Sequence, residues 1–235
     1  AGRLLGPAGF GQVAFALTLA QLGAIACVRG LDFATARWSV LSRSRRQSGE
    51  FVGTGYILAG ANALALAVVL YLVAAPLAEA LGWARTSIIG AAALLLPASL
   101  RAMNERVAPA VGMTRTLASV RPAEGALLLT LLVALSAFAV VRPGTVLATM
   151  VVCALGVSAT LVALMRRRGL LARPGTQARR TMSGYATLML MLTLAPLPLQ
   201  YGDRLFVQHG LDASALGLYV ACATATQVVA SQVVS

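Results

Sequence analysis

Side chains that perform chemistry are scarce in this sequence of 235 residues. It contains seven acidic residues, one histidine and three cysteines. The cysteines, Cys27, Cys153 and Cys222, all lie within apolar runs, and no two of them have the spacing of metal ligands. No phosphate-binding glycine loop, zinc ligand set or nucleophile elbow can be found. We therefore expect neither an enzyme nor a cofactor or metal site, and no disulfide framework.

The chain is rich in long apolar segments, with 59% hydrophobic residues and a mean hydropathy of +0.82. Seven runs without charge follow one another: Ala8–Val28, Phe51–Pro76, Thr86–Leu100, Gly125–Val141, Pro143–Met165, Thr181–Gly202 and Ala213–Ser235. A helix needs about 20 apolar residues, roughly 17–25, to cross the hydrocarbon core of a bilayer. Most of these runs are long enough. The sequence predicts an all-α, polytopic transmembrane bundle with about seven spans.

Positive charge predominates in the sequence, with a net charge of +12. All nineteen basic residues are arginines. Fifteen arginines follow the first, third and fifth runs: Arg29, Arg37, Arg43, Arg45, Arg46, Arg101, Arg106, Arg115, Arg121, Arg166, Arg167, Arg168, Arg173, Arg179 and Arg180. The other connections contain four: Arg3, Arg85, Arg142 and Arg204. Cytoplasmic loops carry such an excess, so we expect the first group in the cytoplasm. Because this charge lies at span ends, no nucleic-acid partner is expected.

The connections are short and leave no room for a soluble catalytic domain. Residues 169–171 and 173–175, which contain glycine and proline, interrupt the connection after the fifth run. They predict a linker between a first transmembrane lobe, residues 1–172, and the start of a second lobe, residues 173–235. Because the sequence begins without a methionine and stops inside an apolar run, we expect a fragment of a longer chain.

A weak internal repeat relates residues 5–22 to residues 211–228. The matched pairs are Leu5 with Leu211, Gly11 with Gly217, Thr18 with Thr224, and Gln21 with Gln227. Chance similarity between two spans rich in small residues is the alternative explanation. If the repeat is genuine, both copies cross the membrane in the same direction, as in transporters built from parallel repeats, and a substrate would lie between the lobes.

Two regions carry a family resemblance. Residues 4–11 (LLGPAGFG), an apolar span, residues 30–32 (GLD) and Arg37 resemble the opening of bacterial polysaccharide-type flippases. Residues 203–206 (DRLF) and 216–219 (LGLY) resemble the start of the second lobe of these proteins. They belong to the multidrug/oligosaccharidyl-lipid/polysaccharide exporter superfamily. The resemblance implies two six-helix lobes around a V-shaped cavity, of which the first span and most of the second lobe are missing here.

The implied activity is to flip a lipid-linked oligosaccharide from the inner to the outer leaflet of the bacterial inner membrane. The implied partners are this lipid-linked precursor, membrane lipids, and the polymerase and glycosyltransferases of polysaccharide biosynthesis. A charged sugar pyrophosphate cannot cross hydrocarbon unaided. We therefore expect a polar, arginine-lined cavity for the head group, because the guanidinium fork pairs well with phosphate oxygens.

Five residues are candidates for contact with the substrate, and each has a structural alternative. Arg29 and Arg37 are either cavity residues or interface arginines, and Arg29 is expected to pair with Asp32 three residues on. Arg101 follows Pro97 and either binds the head group or pairs with Glu105. The mid-span glutamines either contact sugar hydroxyls or bond across helices. The candidates are Arg29, Arg37, Arg101, Gln21 and Gln227.

Three further residues are candidates for coupling to an ion or for gating: Asp32, Asp203 and Arg204. The last two follow a run that Pro196 and Pro198 are expected to break, and an outer-surface pair that fixes the turn is the alternative. A drug/cation antiporter of the same superfamily would need carboxylates within the membrane, and Asp32 and Asp203 are the acids expected near a span. A membrane glycosyltransferase would need acid/base residues in a sizeable outer loop. A membrane scaffold is a further possibility.

Overall fold

The structure, a computed structural model, describes residues 2–138, 141–195 and 197–234, with side chains apart from those of residues 2–4, 138, 198–200 and 225–234. Within these ranges the chain forms ten helices: α1 Gly2–Val28, α2 Leu31–Leu41, α3 Arg45–Leu72, α4 Ala74–Leu81, α5 Arg85–Ala110, α6 Thr114–Phe138, α7 Pro143–Arg167, α8 Thr176–Leu194, α9 Leu197–Gly210 and α10 Ala213–Val234. The predicted all-α bundle is confirmed.

Five helical segments among the described residues are long and apolar enough to cross a membrane: Leu5–Val28, Arg45–Leu72, Arg85–Ala110, Thr114–Ala137 and Pro143–Arg167. They correspond to the first five predicted runs. The sixth run is divided between α8 and α9, with a break between Leu194 and Leu197 as its prolines suggested. Pro196 itself lies outside the described residues. The seventh run is α10, of which the apolar segment Ala213–Thr224 has described side chains.

One buried cluster joins the three arginine-rich connections at one end of the bundle, called here the arginine-rich end. Its largest members come from α2, α3, α5, α7 and α8 and from the connection before α6: Leu31, Phe51, Val52, Tyr56, Met103, Val107, Met113, Met165 and Met182. Because the cluster takes residues from each of these connections, the connections that follow α1, α5 and α7 lie on the same side of the bundle. This placement agrees with the predicted grouping of the arginines.

The connection between α7 and α8 is fixed against α3. The amide of Ala172 donates to the carbonyl of Gly49 at 3.0 Å, and the amide of Gly175 donates to Oγ1 of Thr54 at 3.2 Å. A Cβ atom at Gly53 would collide with the carbonyl oxygen of Ala172, so glycine is required there. The predicted linker is thus a packed segment. The division into two lobes stays a prediction.

At the opposite end of the bundle, α1 and α10 cross in close contact. A Cβ atom at Gly11 would collide with the carbonyl oxygen of Ala213, and one at Gly217 would collide with that of Pro7. Small residues allow helix backbones to approach in this way in membrane proteins. Leu216 of α10 packs with Phe15 of α1 beside the crossing. The two glycines that the internal repeat matches therefore lie in one contact.

A buried hydrogen bond joins α3 to α5 within the apolar interior. The hydroxyl of Tyr56 donates to Oδ1 of Asn104 at 2.6 Å, and both residues are buried. Replacing Tyr56 by Phe is expected to destabilise the protein by about 1–3 kcal/mol, because the buried amide oxygen of Asn104 loses its partner. Thermal unfolding in detergent measures this loss. The double variant Tyr56→Phe/Asn104→Leu removes both partners and should recover part of it; no recovery would contradict the explanation.

Candidate functional site

A cleft of about 420 Å³ opens between α1, α5, α6, α7 and α9. Apolar side chains form most of its wall: Leu17, Ile25, Leu94, Leu128 and Met150. The polar and aromatic lining consists of Gln21, Arg101, Glu105, Glu124 and Tyr201. Pro97, one turn before Arg101, also lines it and leaves its helix one backbone hydrogen bond short. The cleft thus joins a long apolar surface to a small charged region.

That charged region is a network of two arginines and two glutamates from α5 and α6. Nε of Arg101 lies 3.4 Å from Oε1 of Glu105, and its Nη1 lies 3.8 Å from Oε1 of Glu124. Arg121 pairs with Glu105 and, at 3.3 Å, with Glu124. The side chains of Glu124 and Arg121 are 13% and 23% exposed, whereas that of Arg101 is 53% exposed. Arg101 is therefore the more accessible cation of this network.

Two of the five predicted substrate residues, Gln21 of α1 and Arg101 of α5, line this one cleft. The expected pairing of Arg101 with Glu105 is also present. The lining is not, however, the arginine-rich surface that the sequence predicted, because each described guanidinium in the network is matched by a carboxylate. An anion that enters must compete with Glu105 and Glu124 for Arg101. The side chain of Gln227 lies outside the described residues.

Arg37 lies away from the cleft, on the contact between α2 and α8. Its Cζ atom is 4.9 Å from the ring centroid of Tyr185 and 6.0 Å from that of Trp38. At these distances a guanidinium is attracted to the negative face of an aromatic ring. The geometry assigns Arg37 to helix packing at the arginine-rich end.

Arg29 lies at the break between α1 and α2 and is also outside the lining of the cleft. Its φ is 49°, a left-handed conformation that is unusual for a residue with a side chain, and Gly30 follows with φ 72°. Its Nε donates to the carbonyl of Ala26 at 3.3 Å. Arg29 therefore closes the end of α1.

The expected pairing of Arg29 with Asp32 is wrong. Pairing at a spacing of three residues needs one continuous helix, and the left-handed turn at residues 29–30 interrupts it. Asp32 instead lies 4.0 Å from Nε of Arg106 on α5, and this guanidinium also lies over the ring of Phe33 at 4.4 Å. Burial raises the pKa of the Asp32 carboxyl, and the backbone amide of Phe33 and the charge of Arg106 oppose this shift. Asp32 thus joins α2 to α5.

Replacing Arg29 by glycine is expected to stabilise the protein by about 0.5–1 kcal/mol. The left-handed conformation costs a residue with a side chain about 1–2 kcal/mol, and glycine avoids this cost while losing more entropy on folding. Arg37→Gly, inside α2, is the matched control and should destabilise by about 1 kcal/mol. Melting temperatures of both purified variants test the contrast, and equal losses would contradict it.

Asp203 and Arg204 of α9 do not line the cleft either. The hydroxyl of Tyr219 on α10 donates to Asp203, and the backbone amide of Arg204 donates to the same carboxylate at 2.7 Å. The guanidinium of Arg204 lies 5.9 Å from the ring of Tyr201. The contact of Asp203 with Tyr219 joins α9 to α10.

Three residues of the site were missed in the sequence: Arg121, Glu124 and Tyr201. The spacing of three residues between Arg121 and Glu124 was a usable signal for a pair on one helix. No local pattern places this pair beside Arg101, because that proximity arises from the packing of α6 on α5. Tyr201 lines the cleft from α9, the helix that follows the break after α8.

No protein-family model, curated protein or solved structure matches this chain. The resemblance to polysaccharide-type flippases therefore depends on the sequence motifs of residues 4–11, 30–32, 203–206 and 216–219. The geometry of the cleft is an observation on function that does not depend on these motifs.

The arrangement suits binding of an amphiphile. Its apolar wall can accept an acyl or isoprenoid chain, while Gln21 offers an amide to a polar head. Arg101 can exchange a carboxylate partner for a phosphate oxygen, since both are acceptors for the guanidinium fork. Glu124, which is largely enclosed, would then remain paired with Arg121.

Proposed function

We propose that this protein is a membrane transporter that flips a lipid-linked oligosaccharide or polysaccharide precursor from the cytoplasmic to the outer leaflet by alternating access. The observation that carries the proposal is the shared position of Gln21 and Arg101 in one cleft with an apolar wall. The family resemblance supports the same function. The five long apolar helices support a location in a membrane, and we propose the bacterial inner membrane.

The physical task of such a transporter is to shelter the head group. An unpaired charge that leaves water for an apolar medium costs several kcal/mol or more, so a pyrophosphate needs a cation along its path. Arg101 provides one and stays charged when it is partly desolvated. An inside-negative potential also favours outward movement of an anion, by about 2.3 kcal/mol per charge per 100 mV.

A cellular complementation assay tests the proposal. The full-length protein is expressed in bacteria that lack their own flippase but retain the polymerase and glycosyltransferases, and surface polysaccharide is measured. We expect export to be restored. The assay is repeated in several glycan backgrounds. If the protein is present in the membrane at normal levels but no background shows export, the proposal is contradicted.

A drug/cation antiporter is the second candidate, and the structure offers an observation in its favour. Glu105 and Glu124 line the cleft, whereas the acids expected to serve this role, Asp32 and Asp203, do not. Carboxylates in such a cleft suit exchange of a cationic drug for protons or sodium. Efflux of ethidium from intact cells distinguishes the two functions: an antiporter exports the dye and a flippase does not.

A further inference from the structure

The two accessible charges of the cleft have opposite signs and lie side by side. The side chains of Arg101 and Glu105 are 53% and 51% exposed, and Nε of Arg101 lies 3.4 Å from Oε1 of Glu105. Arg121 and Glu124 are more enclosed and pair with each other at 3.3 Å. A ligand that enters the cleft therefore meets one accessible cation and one accessible anion together.

Both accessible side chains keep hydrogen-bonding capacity for a ligand. Glu105 accepts from Arg101 and from Arg121 on the same oxygen, Oε1. No group among the described residues donates a hydrogen bond to its second oxygen, Oε2. Arg101 donates to Glu105 through Nε, whereas its Nη1 lies 3.8 Å from Oε1 of Glu124, which is too far for a hydrogen bond. The outer nitrogens of a guanidinium and one carboxylate oxygen are thus available in one place.

An ion of a single sign fits this pair of charges poorly. A phosphate on the outer nitrogens of Arg101 comes close to the carboxylate of Glu105, and like charges repel more strongly where apolar walls limit the access of water. Glu105 is kept in place because Arg121 also pairs with its carboxylate. A lone cation on Glu105 meets the same problem with Arg101. A ligand that carries both charges avoids both repulsions.

We propose that the cleft selects a zwitterionic amphiphile, whose head group carries a phosphate and a primary ammonium joined by a short carbon spacer. The phosphate oxygens accept from the outer nitrogens of Arg101, and the ammonium donates to Oε2 of Glu105. An ammonium has three N–H donors, so it can also donate to Oε1 of Glu124, whose hydrogen bond with Arg121 uses Oε2. The acyl or isoprenoid chain lies on the apolar wall.

The inference rests on the proposed function in one respect, namely that the zwitterion is the transported cargo. It then names the cargo as a lipid-linked precursor whose first sugar bears a free amino group close to the phosphate. Head-group selection by the purified protein and export by cells are separate measurements. Selection without export supports the inference and contradicts the proposed function. Export without selection supports the proposed function and contradicts the inference.

Three dihexanoyl phospholipids test the selection, because they share the same acyl chains and differ in the head group. Phosphatidylethanolamine carries a phosphate and a primary ammonium. Phosphatidylcholine carries the same charges but has no N–H donor, and phosphatidylglycerol carries the phosphate alone. Each lipid is titrated into purified full-length protein in a non-ionic detergent, and binding is measured by calorimetry. We expect phosphatidylethanolamine to bind at least about tenfold more tightly than the other two, because only its ammonium donates hydrogen bonds to a carboxylate.

Glu105→Gln and Glu50→Gln form a matched pair of variants. Glu50 pairs with Arg46 four residues before it at the same Nε–Oε1 distance of 3.4 Å, but it does not line the cleft. Glu105→Gln should weaken binding of phosphatidylethanolamine at least about tenfold, because the ammonium loses its charged acceptor. It should also strengthen binding of phosphatidylglycerol about threefold or more, because the carboxylate that repels the phosphate is gone. Glu50→Gln should bind all three lipids as the unchanged protein does.

The inference is overturned if phosphatidylcholine or phosphatidylglycerol binds as tightly as phosphatidylethanolamine. It is also overturned if Glu105→Gln keeps the same preference as Glu50→Gln. Size-exclusion profiles show whether each variant is folded. Should Glu105→Gln fail to fold, Arg101→Gln replaces it and should weaken binding of phosphatidylethanolamine at least about tenfold, since the phosphate loses its cation; unchanged affinity overturns the inference.

The export assay distinguishes a transported cargo from a phospholipid of the surrounding membrane. Two glycan backgrounds are compared, in which the amino group of the first sugar is either free or N-acetylated. The free amine should be exported at least about tenfold better, because acetylation removes the positive charge that Glu105 binds. Glu105→Gln should abolish this difference, whereas Glu50→Gln should retain it. Equal export of the two glycans by the unchanged protein overturns the assignment of the zwitterion to the cargo.

Discussion

Alanine at Gly11 or at Gly217 is expected to force α1 and α10 apart. At each position a Cβ atom would collide with a backbone carbonyl oxygen of the other helix, and a backbone atom cannot move aside as a flexible side chain can. Overpacking of this kind costs about 1–3 kcal/mol. For a domain of this size the melting temperature should fall by about 2–12 °C.

Gly60 of α3 is the matched control. A Cβ atom there has no neighbour within 4 Å, and alanine has the higher helix propensity, so Gly60→Ala should leave the melting temperature unchanged or slightly raised. Melting is followed through the emission of Trp83, which packs on Phe15 beside the crossing, in variants that also carry Trp38→Phe. If Gly11→Ala melts like Gly60→Ala, then α1 and α10 do not cross at these glycines.

These glycines show what the sequence could and could not provide about the fold. The repeat matches Gly11 with Gly217, and the apolar runs predict both helices, but neither observation indicates that the two residues touch. The glycines of α3 make the same point. Gly53 lies against the α7–α8 connection, whereas Gly60, of identical type in the same helix, faces open space. The length of an apolar run predicts that a helix forms. Which residues of two helices contact each other is determined by packing.

In the candidate site, too, some contacts could be predicted from sequence spacing and others could not. Arg101 and Glu105 are one helical turn apart, so their pairing follows from local geometry and was predicted correctly. The same rule failed for Arg29 and Asp32, because Arg29 itself and Gly30 are left-handed and interrupt the helix, and no local rule places that break. The recruitment of Glu124 to the cleft depends on the contact of α6 with α5. Residues distant in sequence meet through tertiary packing, which spacing does not encode.

Arg101→Gln is expected to reduce export by about 10-fold to 150-fold, whereas Arg37→Gln should leave it nearly unchanged. A hydrogen bond to a charged group contributes about 1.5–3 kcal/mol, and each 1.4 kcal/mol is a factor of ten. Arg101 is the accessible cation of the cleft, while Arg37 lies on the rings of Tyr185 and Trp38. The double variant should export no less than Arg101→Gln alone.

Export of surface polysaccharide by full-length protein, normalised to the amount in the membrane, separates these outcomes. Arg101→Gln should fold normally, because Glu105 and Glu124 keep Arg121 as a partner. Arg101→Lys keeps the charge but not the fork that pairs with two phosphate oxygens, and it should recover only part of the activity. Equal losses from Arg37→Gln and Arg101→Gln would place substrate recognition outside this cleft. Full export by Arg101→Gln would show that transport does not need this guanidinium. Among the described residues, Arg101 is the arginine that lines the cleft.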